Sequence, residues 1–141
     1  MKKFILVCLL FSAVSMYAQT NQKNGIALQG YDPVAYFEND QAILGKKEIT
    51  AQHNDVVYQF SSESNKALFL KNPTQYEPQY GGYCAYGMSN GYKAPIQPEA
   101  FTIVDNKLYL NYSLEVKAMW LKEQAARIES ANLTWEKLKK S

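Results

Sequence analysis

Cysteine and histidine are scarce in this chain. Its 141 residues hold two cysteines, Cys8 and Cys84, and one histidine, His53. Cys8 lies in an amino-terminal segment that reads as cleavable, so Cys84 is left as the single thiol and no internal disulfide can form. A Cys-x-x-Cys pair, a His-Glu metal helix, a glycine-rich phosphate loop and a serine nucleophile elbow are all missing. Dithiol oxidoreduction within one chain is thereby excluded. An excess of charge of one sign is missing too: without the two leader lysines, 15 basic residues become 13, against 13 acidic ones. A neutral chain with no basic run offers no electrostatic case for nucleic acid or for an anionic membrane surface.

What is present begins with an export signal. Lys2 and Lys3 precede the apolar run from Phe4 to Tyr17, which is too short to span a bilayer comfortably. Residues 1–18 are therefore expected to be a signal peptide, cut after Ala18 or alternatively after Ser15, sending the protein to the periplasm or the exterior. Cys8 lacks the small preceding residues of a lipidation site, so no stable membrane anchor is expected. The polar residues 19–24 have nothing apolar to bury and are expected to form a flexible leader. Residues 25–141 then make one domain of ordinary size.

The rest of the pattern predicts a small α+β domain with two β-hairpins, a short central helix and a long C-terminal helix. Asp32 is placed to cap a short helix that Pro33 opens. Ile49–His53 and Val56–Phe60 are β-prone runs about Asn54-Asp55, and Phe101–Val104 and Lys107–Tyr112 form a similar pair about Asp105-Asn106. Between the hairpins, Ser61 or Ser62 caps a helix to about Lys71 whose apolar side is Ala67, Leu68, Phe69 and Leu70. Ser113 caps the last helix, on which Leu114, Ala118, Leu121, Ala125 and Ile128 recur at helical spacing. Trp135 and Leu138 extend that face past a kink expected near Asn132. Trp120, Leu121, Ile128 and Trp135 are expected to pack this helix on the second hairpin.

The segment from Pro73 to Pro98 is the first place to look for function, because Tyr76, Tyr80, Tyr83, Tyr86 and Tyr92 crowd around Cys84. Cys84 follows Gly81-Gly82 and precedes Met88 by four residues. A thiolate and a thioether at that spacing suit a soft ion such as Cu(I), with His53 able to complete the set. The same residues also fit plainer roles, with Cys84 a small buried hydrophobe, Met88 a gap-filler and His53 a solvated turn residue. Tyr80, Tyr83 and Tyr86 could line a cofactor or small-molecule pocket, or could simply pack the loop.

Several of these segments together resemble the YHS-domain family, in its secreted, stand-alone branch. They are Gly30-Tyr31-Asp32-Pro33-Val34-Ala35-Tyr36-Phe37, Tyr58-Gln59-Phe60-Ser61, Phe69 with Asn72-Pro73 and Tyr76, Pro78-Gln79-Tyr80-Gly81-Gly82-Tyr83-Cys84-Ala85, and Leu108-Tyr109-Leu110-Asn111-Tyr112. The resemblance covers 25–138 and implies a small α+β fold and a link to metals, because related short domains accompany heavy-metal transporters. Those domains carry cysteines where this chain has Ala35 and Ser61, so any thiolate chemistry here falls to Cys84. Three functions stay open: an exported copper-binding protein using Cys84, Met88 and His53, a one-cysteine redox enzyme, and a small-molecule or partner-binding module built on the tyrosine loop.

Overall fold

The structure is a computed structural model that describes residues 20–139; the expected signal peptide lies outside the described residues. Among these, the fold is mixed α+β with a four-stranded sheet, a separate two-stranded hairpin and six α-helices, the last of them long. The first strands, β1 (Gln22–Lys23) and β2 (Ile26–Ala27), pair antiparallel. Residues 22–23 were expected to be flexible for want of apolar side chains. Backbone pairing orders them instead, and the Asn21 N–H and side-chain amide donate to Gly81 O and Gly82 O at 2.8 and 3.1 Å.

Helix α1 (Ala35–Glu38) follows Pro33 as expected, and β3 (Lys46–His53) and β4 (Val56–Phe60) form the first hairpin, with β4 inserted between β3 and β2. Its turn places Asn54 and Asp55 at φ of 50° and 62°, both left-handed, which matches the twist of an antiparallel pair. Ser62 caps α2 (Glu63–Lys71) by accepting from the Asn65 N–H at 3.1 Å. Of the apolar side assigned to this helix only Phe69 is buried; Leu68 and Leu70 are exposed. Three consecutive residues cannot share one helical face, and Phe69 is the one that meets Tyr58 and Phe60 of β4.

The loop between the hairpins is ordered. It contains α3 (Pro73–Tyr76), a tight turn at Gln79–Gly82 and α4 (Ala85–Ser89). The second hairpin pairs β5 (Phe101–Val104) with β6 (Lys107–Leu110) in the expected register about Asp105-Asn106. The last helix is two: α5 (Leu114–Lys122), capped by Ser113, and α6 (Gln124–Lys139).

The expected kink near Asn132 is absent, and the break falls at Glu123, whose φ and ψ of −131° and 31° are not helical. That break resets the periodicity. Leu114, Ala118, Leu121 and Ala125 face solvent, while Trp120 is fully buried and Ile128 and Trp135 are half-buried beside it. Trp120 does pack on the second hairpin, its ring 5.4 Å from that of Tyr109.

Two apolar clusters result. One lies between β4, α1, α2 and the second hairpin and includes Tyr36, Tyr58, Phe60, Phe69 and Cys84. The other lies between α4, α5, α6 and β6 and includes Tyr80, Met88, Tyr109 and Trp120.

Candidate functional site

Cys84 stands at the N-cap of α4 and is 1% exposed. Its Sγ accepts weakly from the Gly87 N–H at 3.4 Å and approaches Asn111 Oδ1 at 3.5 Å. The Tyr86 N–H donates to that same Asn111 oxygen at 3.0 Å, which fixes it as the carbonyl end of the side chain. Cys84 therefore meets Asn111 as an S–H donor, not as a thiolate acceptor. Met88 is one turn along, but its side chain belongs to the second cluster and is fully buried there. His53 is held on the first hairpin, its Nε2 3.1 Å from Glu77 Oε1 and its ring edge-on to Phe69. No contact brings these three side chains together, and among the described residues no three His, Cys, Asp or Glu side chains converge as a metal site. The three residues of the expected copper set lie in different surroundings: Cys84 in the first cluster, Met88 in the second and His53 beside Glu77.

The tyrosines also separate by role. Tyr80 is buried at a left-handed φ of 58° and donates its hydroxyl to Asn132 Oδ1 at 2.9 Å, with burial pushing its pKa well up. Tyr86 carries the Arg127 guanidinium over its ring at 4.1 Å and accepts from it at 3.2 Å through its hydroxyl. Tyr83 lies under the Lys93 ammonium at 5.1 Å. Tyr83 and Tyr86 pack against the second cluster, and only Tyr80 lines a cavity described below.

Asp32 is the most heavily bonded of the buried side chains among the described residues. Fully buried, its Oδ1 accepts from the Val34 and Ala35 N–H groups at 2.8 and 3.3 Å. Its Oδ2 accepts from the Ser61 N–H, the Ser61 hydroxyl and the Asn65 amide at 2.8, 2.6 and 2.8 Å. The expected capping role is present, and it is extended into a tie between α1, the end of β4 and α2.

One opening was not foreseen. It is a groove of about 630 Å3 over β1, β2 and the tight turn at Leu28–Gly30, with Gln59 in its floor. Gln59 is 7% exposed, yet neither atom of its amide has a partner among the described residues. Its position is fixed by two glycines. A Cβ on Gly45 would lie 2.5 Å from the Gln59 carbonyl carbon, and one on Gly30 would lie 2.7 Å from Gln59 Oε1. Leu28 and Gln29 hold left-handed φ values of 55° and 54° beside it, a costly conformation for leucine. The lining carries Lys23 and Lys47 but no carboxylate, with Ile26, Leu28, Leu44 and Ile96 as its apolar part.

Sequence reasoning missed Gln59 because glutamine on a strand looks like any outward polar residue. The one available signal was its place in an otherwise apolar Val56–Phe60 run. No family model, curated protein or solved structure matches this chain.

Proposed function

We propose that this chain is an exported binding module for a small polar molecule without positive charge, seated in the groove floored by Gln59. The observation that carries the proposal is the Gln59 amide. Its two polar atoms meet no protein partner among the described residues and open onto the groove, so a ligand offering both a donor and an acceptor could bond to the amide without displacing a protein contact. The lysines and the missing carboxylates disfavour a cation in the same place. Apolar walls around a few polar groups are the usual make-up of a small-molecule site.

Of the three functions left open by the sequence, this one is closest to the binding module, moved from the tyrosine loop to the groove. The geometry lends less support to the other two. A copper site needs the Cys84 thiolate with Met88 or His53 beside it as a helper, and a redox enzyme needs a thiol that an oxidant can reach.

Native mass spectrometry of protein taken from its own compartment tests the proposal. The wild type is expected to retain a small molecule that Gln59→Met loses and Cys84→Ser keeps. A bare wild-type mass, or a ligand kept by Gln59→Met, would count against the groove. A metal mass lost only in Cys84→Ser would replace this proposal with the copper one.

A further inference from the structure

A second cavity, of about 450 Å3, opens where the turn of the first hairpin, the segment after α3 and the end of α6 meet. It is lined by groups whose bonding is incomplete in a complementary way. Glu77 is three-quarters buried, and its Oε1 takes both available partners, His53 Nε2 at 3.1 Å and the Asn54 amide at 3.3 Å. Its Oε2 has none among the described residues. Tyr58 is 2% exposed and its ring is fixed against Phe69 at 4.8 Å, yet its hydroxyl also has no partner there.

The two groups sense each other. Burial and the Glu77 charge both hold the Tyr58 hydroxyl pKa well above the ordinary phenol value. Burial likewise pushes the Glu77 carboxyl up, against the opposing pull of His53 and Asn54. Neighbouring groups do not supply what is missing. The Tyr80 hydroxyl is donated to Asn132, and Lys139, the lining residue that carries a positive charge, is paired with Glu136 at 3.0 Å.

Glu77 Oε2 and the Tyr58 hydroxyl line the same cleft, and neither has an N–H donor among the described residues, since His53 and Asn54 both bond to the other carboxylate oxygen. Trp135 in the lining adds an aromatic surface suited to a cation. We infer that this cleft binds a primary ammonium group carried on a small molecule, with Glu77 Oε2 and Tyr58 Oη accepting its N–H bonds. A quaternary ammonium would bring the charge without the donors, and an alcohol a donor without the charge. The site is independent of the Gln59 groove, which shares no lining residue with it.

The test is an NMR titration of the full chain with n-butylammonium chloride, followed at the backbone amides of Asn54 and Gly81. Glu77→Gln is expected to weaken binding by about tenfold or more, the usual worth of one charge-assisted hydrogen bond. Tyr58→Phe should weaken it by about threefold to tenfold, and Gln59→Met should leave it unchanged. Tetramethylammonium should bind more weakly than n-butylammonium. Spectra with native dispersion establish that each variant is folded, and Glu77→Asp, which keeps the charge but retracts it, should bind between the wild type and Glu77→Gln. Equal affinities for wild type and Glu77→Gln would overturn the inference, as would equal binding of the two ammonium ions or no shift at either amide.

Discussion

Asp32 and Gln59 are both buried polar side chains, and their surroundings differ in every other respect. Asp32 spends both carboxylate oxygens on five donors from three elements. Gln59, two residues before the Ser61 that Asp32 holds, bonds to nothing among the described residues and faces a groove. Burial by itself therefore does not separate a polar group that ties the fold together from one that faces open space. The difference between these two is that the Asp32 oxygens are taken up by protein donors, whereas the Gln59 amide opens onto a groove. Cys84 falls on the structural side, with Asn111 and Gly87 as its two weak partners.

The comparison can be broken at its strongest point first. Asp32→Ala removes one acceptor group and orphans up to five donors, so it is expected to cost about 4 kcal/mol, a large share of the roughly 5–15 kcal/mol available to a domain. Urea unfolding of wild type and variant side by side checks this. A loss below about 1 kcal/mol would mean that water replaces the carboxylate and that the tie is dispensable.

Cys84→Ser should cost less, about 1–2 kcal/mol, because the hydroxyl can repeat the contacts in a pocket sized for sulfur. The wild-type thiol should be alkylated slowly under native conditions, at a rate that a chelator does not change. A rate that rises sharply on chelation would move Cys84 to the functional side of the comparison.

Gln59→Met should have the smallest effect on stability, within about 0.5 kcal/mol, since it breaks no bond and nearly conserves volume. A cost near that of Asp32→Ala would show that the amide is bonded after all, and the groove would lose its argument.

Much of the fold was legible in local chemistry. Ser62, Ser113 and Asp32 cap the helices they were expected to cap, because a side-chain oxygen before a helix has the backbone N–H groups within reach whatever the rest of the chain does. Asn54-Asp55 and Asp105-Asn106 turn both hairpins for a similarly local reason, their tolerance of positive φ. The faces of α2 and α5 were less legible, since Leu68, Leu70, Leu114 and Leu121 are apolar yet exposed. Helical spacing says which residues share a face but not which face meets a partner, and the break at Glu123 shifts the register between α5 and α6.

The candidate sites were the least legible. His53 and Tyr80 were singled out for a metal and for a pocket; Tyr80 lines the second cleft directly, and His53 adjoins it through the distant Glu77. Glu77, Tyr58 and Gln59 carry no motif.

The amino-acid sequence by itself determined the α+β class, the two hairpins and the helix starts, because each follows from residues that interact within a few positions of one another. Only the tertiary structure decided which polar groups are used up and which are left over. Whether Asp32 finds five donors, Cys84 finds Asn111, or Gln59 and Tyr58 find nothing depends on long-range packing, which brings distant segments to one place and satisfies some of their hydrogen bonds but not others.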